Sequence, residues 1–186
     1  MRAMAVAVSV LFVLIPDLVT GQTSIAAPAP FSLQAGAGPT LIGGGNVLSA
    51  AFGYSPASRV DLLLNVERNH LPFRLTRFPE GGYSVTRGGT LTFVSGELRA
   101  ALRPPNRVSP YVIAGVGGGV SRPNVNDQFP YRVSNDLRVL YFGGGVRVPP
   151  HRGFSLFGDV RAMLGVEGYD GVLAVWPVRV GAAWRF

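Results

Sequence analysis

Beyond residue 30, the hydrophobic residues of this chain recur at every second position, which is the period of a β-strand. At the end of the chain, alternate residues from Val178 to Phe186 are all apolar, and the intervening ones are arginine, glycine and alanine. Eight segments have this character, and most reach the ~9–11 residues that a tilted strand needs to cross a bilayer. The predicted strands are Phe31–Leu41, Val47–Tyr54, Arg59–Arg68, Gly88–Leu102, Pro110–Ser121, Asn135–Val148, Phe154–Val166 and Val172–Phe186.

The connections between these segments form a second pattern. Short, proline-rich connections (SPAS, RPPNRVS, PPHRG) alternate with connections that are mostly longer, such as HLPFRLTRFPEGGYSVTR and RPNVNDQFPYRVS. Short turns at one rim and long loops at the other are typical of an outer-membrane barrel. The pattern predicts an all-β fold, an eight-stranded antiparallel up-and-down transmembrane β-barrel. Both chain ends should lie at the rim with the short turns, called here the turn end, opposite the loop end.

Alternation alone does not decide which face meets water. A soluble periplasmic eight-stranded barrel that binds an apolar ligand would alternate in the same way, and it is the alternative interpretation. Three features favour lipid outside: the charged positions are few and balanced in sign, they are mixed with glycine runs, and the last strand ends in Phe186. Glycine runs are costly on a solvated strand, whereas inside a narrow barrel they leave room for arginine.

The polar face carries five acids and five arginines, including Glu167 and Arg185, which indicates a self-neutralised interior. Eight strands leave a lumen just wide enough for side chains to fill, so salt bridges should plug it; a narrow ion path is the less favoured possibility. Gly115, Gly117, Gly143 and Gly145 should clear the way for arginine. Glu97 should pair across the barrel with Arg161 or Arg147. The predicted lumen network is Asp61, Glu67, Glu97, Arg99, Arg147, Asp159, Arg161 and Arg179.

The first 26 residues predict a secretory signal peptide. Arg2 is followed by an apolar run from Ala3 to Ile15 and then by small residues, with possible cleavage after Gly21 or after Ala26. We therefore expect one mature barrel domain over residues 27–186, exported to the outer membrane.

Composition excludes several kinds of chemistry. The chain has no cysteine, and all 17 basic residues are arginine, so thiolate and lysine chemistry are absent. The two histidines, His70 in a long loop and His151 in a proline turn, should lie at opposite rims. We expect no enzyme activity, no metal and no cofactor, because no strand-borne histidine beside a serine is predicted on the lipid side.

The net charge of +7 points to lipid rather than to nucleic acid, which a secreted barrel rarely meets. Outer-membrane lipids and lipopolysaccharide are the expected partners, and plain solubility is the alternative explanation of the charge. A rim of arginines without acids at the turn end is the candidate head-group contact: Arg59, Arg103, Arg107 and Arg152.

At PYVIAGVGGGV, FSLFGDVRAML and VRVGAAWRF, the sequence resembles the small OmpA-like outer-membrane β-barrel family. The resemblance covers the chain from about residue 30 to residue 186. It implies that Trp184 and Phe186 belong to an insertion signal read by the barrel-assembly machinery, with periplasmic chaperones as further partners. We expect a monomer with a structural role, which stabilises the membrane and displays loops outward.

Four residues depart from the simple pattern. Pro39 and Pro177 lie inside predicted strands, where each removes a backbone donor, so bulges or shortened pairing are expected there. Leu91 and Phe93 fall on the charged side of the fourth strand. Either a bulge shifts that strand, or this part rises above the bilayer.

Overall fold

The computed structural model describes residues 30–77, 83–104, 108–124, 134–148, 153–168 and 171–186. The predicted signal peptide therefore lies outside the described residues. No helix in the described part of the chain is long and apolar enough to cross a membrane. The strands are β1 (Phe31–Pro39), β2 (Asn46–Ala57), β3 (Val60–Arg77), β4 (Tyr83–Ala101), β5 (Ser109–Pro123), β6 (Asn135–Arg147), β7 (Phe154–Glu167), β8 (Gly171–Val175) and β9 (Val178–Arg185).

These nine strands occupy eight positions in a closed antiparallel ring, because β8 and β9 are two parts of one last strand. Successive strands pair from β1 to β7, both parts pair with β7, and β9 closes the ring on β1. The break falls at Pro177, which lacks the amide proton that pairing needs. Its carbonyl still accepts from the Arg161 amide at 3.0 Å. Since β1 also ends at Pro39, the expected shortening at both prolines is confirmed.

The loop end is built differently from the prediction. The turn between β1 and β2 is tight, with Gly43, Gly44 and Gly45 all at positive φ. The hairpin of β3 and β4 instead continues well above it, with pairs as far as Arg77 and Tyr83. The prediction that His70 begins a long loop is therefore wrong. Strand pairing persists because Pro72 is exposed and the hairpin partner of β3 continues alongside it.

Above the short β1–β2 hairpin, the ring closes a second time. Thr76 and Arg77 of β3 pair with Leu173 and Val172 of β8. The strands that flank the hairpin thus meet over it, and the edge that β1 and β2 would leave open there is covered. Closing an edge in this way satisfies backbone groups that would otherwise be unpaired.

The outer wall is largely apolar and the interior holds the charged side chains of the strands, the reverse of a soluble domain. Phe142, Leu156 and Val180 are each more than 60% exposed. Asp61, Glu97 and Arg161 are each no more than 5% exposed. In water, such a contiguous apolar surface would drive aggregation, whereas in a bilayer it meets hydrocarbon and all strand hydrogen bonds close within the ring. The fold is a transmembrane β-barrel.

Aromatic residues cluster outside the turn end, around the junction of the first and last strands. Phe31 stacks on Phe52 with ring centroids 5.7 Å apart, and Trp184 lies 5.1 Å from Phe186. The Phe186 amide donates to the Phe31 carbonyl at 3.0 Å, so the first strand begins beside the end of the last strand. Aromatic girdles of this kind mark the interfacial level of membrane barrels.

The interior has an apolar layer that the sequence pattern did not reveal. Leu91 and Phe93 point inward without any bulge, since the register of β3 and β4 runs unbroken from Val60 to Leu71. The expected bulge is therefore wrong, and the other alternative, that this part rises above the bilayer, stays a prediction. The inward residues form a buried cluster on the loop side of the charges: Leu71, Leu91, Phe93, Leu137, Val139, Tyr141, Met163, Leu173 and Val175.

Candidate functional site

The middle of the barrel holds an ion-pair network built from inward positions of four strands, β3, β4, β7 and β9. At its centre is Arg161, which is 2% exposed and contacts three carboxylates. Its Nη2 lies 2.5 Å from Glu97, its Nη1 lies 3.1 Å from Glu67, and its Nε lies 3.4 Å from Asp159. Glu97 and Glu67 belong to neighbouring strands opposite β7, so these contacts cross the lumen.

A second arginine closes the network on the side of the last strand. Arg179 donates twice to Asp159, at 2.9 and 2.8 Å, a bidentate geometry that holds both groups in one orientation. It also reaches Glu67 at 3.4 Å and the Ser49 hydroxyl at 3.1 Å. Because Glu67 serves both Arg161 and Arg179, the two arginines are linked through one carboxylate.

Arg99 and two tyrosines complete the network. Arg99 donates to Glu97 and to Gln34, each at 3.1 Å, and lies 4.6 Å from the centre of the Tyr111 ring. The Tyr141 hydroxyl donates to Glu97 at 3.1 Å, and its ring lies 4.7 Å from the Arg161 guanidinium. Cation–π contact of this kind stabilises a desolvated guanidinium.

A separate cluster lies nearer the turn end. Asp61 accepts from Arg147 at 2.5 Å, from Arg185 at 3.0 Å and from the Ser55 hydroxyl at 2.6 Å. The structure thus brings all eight predicted lumen residues inside, in two groups. The expected cross-barrel pair of Glu97 with Arg161 is present. The alternative pair of Glu97 with Arg147 is wrong, because Arg147 lies at the level of Asp61.

Two of the four predicted glycines make room for tyrosine rather than for arginine, whereas Gly117 and Gly143 allow the backbone of neighbouring strands to approach closely. A Cβ on Gly115 would overlap the Tyr141 ring, and one on Gly145 would lie 2.7 Å from the Tyr111 ring. Those rings in turn lie over the guanidinium groups. The same sequence pattern could have identified Tyr111, Tyr141 and Gln34, since all three share the inward parity of their strands with the charged residues.

The space among the charged side chains of the network is almost completely filled. The void among Gln34, Glu97, Arg99, Arg161 and Arg179 is about 10 Å³. A single water needs roughly that much space. In the described residues, no group of three histidine or acidic side chains is placed to hold a metal ion.

The other predicted positions that the structure describes lie on the surface. Arg59 and Arg103 are exposed at the turn end, whereas Arg107, Arg152 and His151 lie outside the described residues. Trp184 and Phe186 are each about half exposed on the outer wall. His70, contrary to expectation, is strand-borne and points outward, beside Asn46 and Thr90 rather than a serine.

Comparison with known proteins identifies the fold but no sequence relative. No protein-family model matches the chain, and no curated protein matches it. The N-terminal β-barrel domain of Pseudomonas aeruginosa OprF matches with a TM-score of 0.59 and 15% identity, over 84% of this chain and 96% of that one. A major outer membrane protein of Thermus thermophilus gives a TM-score of 0.47 with 21% identity, over 84% and 98%.

The attachment invasion locus protein Ail of Yersinia pestis, solved with the heparin analogue sucrose octasulfate, gives a TM-score of 0.49 with 18% identity, over 84% and 97%. At these identities, the likeness concerns the fold alone. The chain has the fold of the small OmpA-like outer-membrane β-barrels, and the expected resemblance is confirmed at that level.

Proposed function

We propose that this protein is an integral outer-membrane barrel that stabilises the membrane and displays the β3–β4 hairpin and neighbouring loops at its loop end. One observation carries the proposal: the apolar wall encloses an interior filled by paired charges and a buried apolar layer. A soluble ligand-binding barrel would need the reverse arrangement. An open pore would need a continuous polar channel, which the packed interior does not offer.

The proposal includes the partners that such a barrel meets. Lipids of the outer membrane contact the apolar wall, and Arg59 and Arg103 reach head groups at the turn end. Trp184 and Phe186, at the end of the closing strand, serve as the insertion signal for the barrel-assembly machinery after periplasmic chaperones deliver the chain. We expect the barrel to act as a monomer and to catalyse no reaction.

Cell fractionation with a heat-modifiability gel tests this function. The protein should appear in the outer-membrane fraction, and the unboiled band should migrate differently from the boiled band because the closed barrel resists detergent unfolding. In planar bilayers, the purified protein should show little steady conductance. Recovery in the soluble periplasmic fraction, or large long-lived channels, would contradict the proposal.

A further inference from the structure

The described part of the outer wall has a shallow, open groove, which is lined mainly by small side chains. The groove lies across β1, β2, β3 and β9 and has a volume of about 580 Å³. Its floor is formed by Ala35, Ala37 and Ala50, and Leu48, Val66 and Val180 rise at its sides. All but one of its outward-facing residues are therefore apolar, and the exception is Arg68, which lines it toward the loop end.

Arg68 belongs to a group of outward polar residues, called here the donor patch. Two rows of paired residues define it: Arg68 lies opposite Thr92, and His70 lies opposite Thr90 on the same two strands. Thr90 in turn lies opposite Arg122 of β5, and His70 lies opposite Asn46 of β2. Directly opposed side chains lie about 4.5–5.5 Å apart at Cβ. The donor patch is Asn46, Arg68, His70, Thr90, Thr92 and Arg122.

The donor patch is cationic, since none of its six residues is an acid; the exposed carboxylate beside it is Asp136 of β6, which lies opposite Val120, two residues from Arg122. Among the ion pairs between described residues, none involves Arg68 or Arg122, while the interior arginines are all paired. The acid that precedes Arg68 in β3, Glu67, points into the lumen and is 1% exposed. Two guanidinium groups with two hydroxyls between them match the oxygens of a phosphate group.

We propose that the groove and the donor patch together bind one phosphate-bearing lipid of the outer leaflet. An acyl chain lies along Ala35, Ala37 and Ala50, and the phosphate lies between Arg68 and Arg122. The two parts are adjacent because Arg68 belongs to both. This inference rests on the proposed membrane location and gives it a specific lipid partner.

Charge favours an anionic lipid over the other possible occupants, a second copy of the chain and free phosphate. A second copy of the chain docked symmetrically on the groove would bring its own Arg68 and Arg122 against the first pair, and like charges so placed repel. Free phosphate would use the donor patch but would gain nothing from the groove. A lipid with an anionic head group uses both, because its phosphate meets the donor patch while its acyl chain packs against the groove by van der Waals contact.

The test measures binding of lipid A with two phosphates to the full chain in neutral phosphatidylcholine nanodiscs, by native mass spectrometry. Arg68→Gln and Arg122→Gln should each weaken binding about tenfold, the effect of losing one charge-assisted contact. Ala50→Phe, which fills the groove floor from the lipid side, should weaken it similarly. Arg138→Gln is the matched control, since Arg138 is also outward near the loop end but pairs with Gly118 and Val166.

Three outcomes would overturn the inference. Equal losses in Arg138→Gln and in Arg68→Gln would mean nonspecific attraction between charges. Inorganic phosphate that competes fully at equal concentration, or an Ala50→Phe variant with wild-type binding, would mean that no acyl chain is held. A heat-modifiability gel on every variant verifies folding and outer-membrane recovery, so loss of the site is distinguished from failure of the membrane proposal.

Discussion

At the scale of single residues, the interior depends on sharing: Glu97 serves Arg99, Arg161 and the Tyr141 hydroxyl at once. Replacing Glu97 by Gln removes the charge but keeps the shape, and it leaves two buried guanidinium groups underpaired. Breaking a buried ion pair in this way costs about 3–5 kcal/mol. We expect Glu97→Gln to lower the free energy of unfolding by that order, measured by urea titration in lipid vesicles. Asp136→Asn, at an exposed carboxylate, should change little.

Two glycines make a matched pair for a second prediction. Gly115 faces inward against the Tyr141 ring, whereas a Cβ on Gly96 would have nothing within 4 Å. Gly115→Ala should destabilise the barrel by about 1–3 kcal/mol, because the ring that contacts Arg161 has to move. Gly96→Ala should be neutral or slightly stabilising in the same titration. A similar loss of unfolding free energy in both variants would mean that the flexibility of the glycine backbone, and not the space for the Tyr141 ring, sets the stability.

Alternation along a strand predicted correctly whether these side chains face the lumen or the lipid. It did not predict their level along the barrel axis. The sequence placed Arg147 and Arg161 on the same inner face as Glu97, and both are there. Which of them reaches Glu97 depends on the stagger between strands, which alternation does not encode. Leu91 and Phe93 are inward as their positions require, yet their purpose was hidden because their apolar neighbours come from strands far away in sequence.

At the scale of strands, the apolar outer faces determine how the barrel sits in lipid. Leu62, Val160 and Val180 are each more than 40% exposed on three different strands, and Leu98 lies partly shielded on a fourth. Arginine at each of these mid-wall positions should cost about 2–4 kcal/mol of folding free energy. Arginine at Thr92, nearer the loop end, should cost about 0–1 kcal/mol. Spin labels at mid-wall should meet lipid-soluble oxygen, and quenching by aqueous reagents there would contradict the orientation.

The last strand leads to a prediction about assembly. The Phe186 backbone pairs with Phe31, but its side chain lies on the surface, 6.5 Å from the Phe31 ring. Deleting Phe186 should lower the membrane-inserted fraction in cells, while refolding of the purified chain into detergent stays nearly intact. Gel quantification of both settings separates the two effects. An equal loss in each would assign Phe186 to stability alone.

The strand boundaries show where pattern reading fails. His70 and Pro72 looked like the start of a loop because proline and mixed residues interrupt the alternation. The strand continues because Pro72 is exposed and β4 supplies a partner up to Tyr83. A partner across the hairpin is a property of two segments, so neither segment alone predicts the extension.

At the scale of the whole molecule, two kinds of side-chain packing block the lumen. One is the charge network at mid-height, and the other is the apolar layer on its loop side. Weakening the network leaves the layer intact, so Glu97→Gln alone should not create steady channels in planar bilayers. Adding Phe93→Ser and Leu137→Ser should let water into the layer and raise conductance. The two serine replacements without Glu97→Gln are the control. Steady channels from Glu97→Gln alone would show that the charges are the only barrier.

The division of the last strand at Pro177 has a mechanical consequence. A force applied at Phe186 across the strand direction separates β9 from β1 and β7. The hydrogen bonds of the ladder then break one after another from the chain end. At Pro177, the peeling front meets a gap in the ladder and then a second short strand, β8, which is held by β7 and β3. A pull on Phe186 therefore separates β9 from β1 and β7 first, while β8 stays paired with β7 and β3 at the loop end.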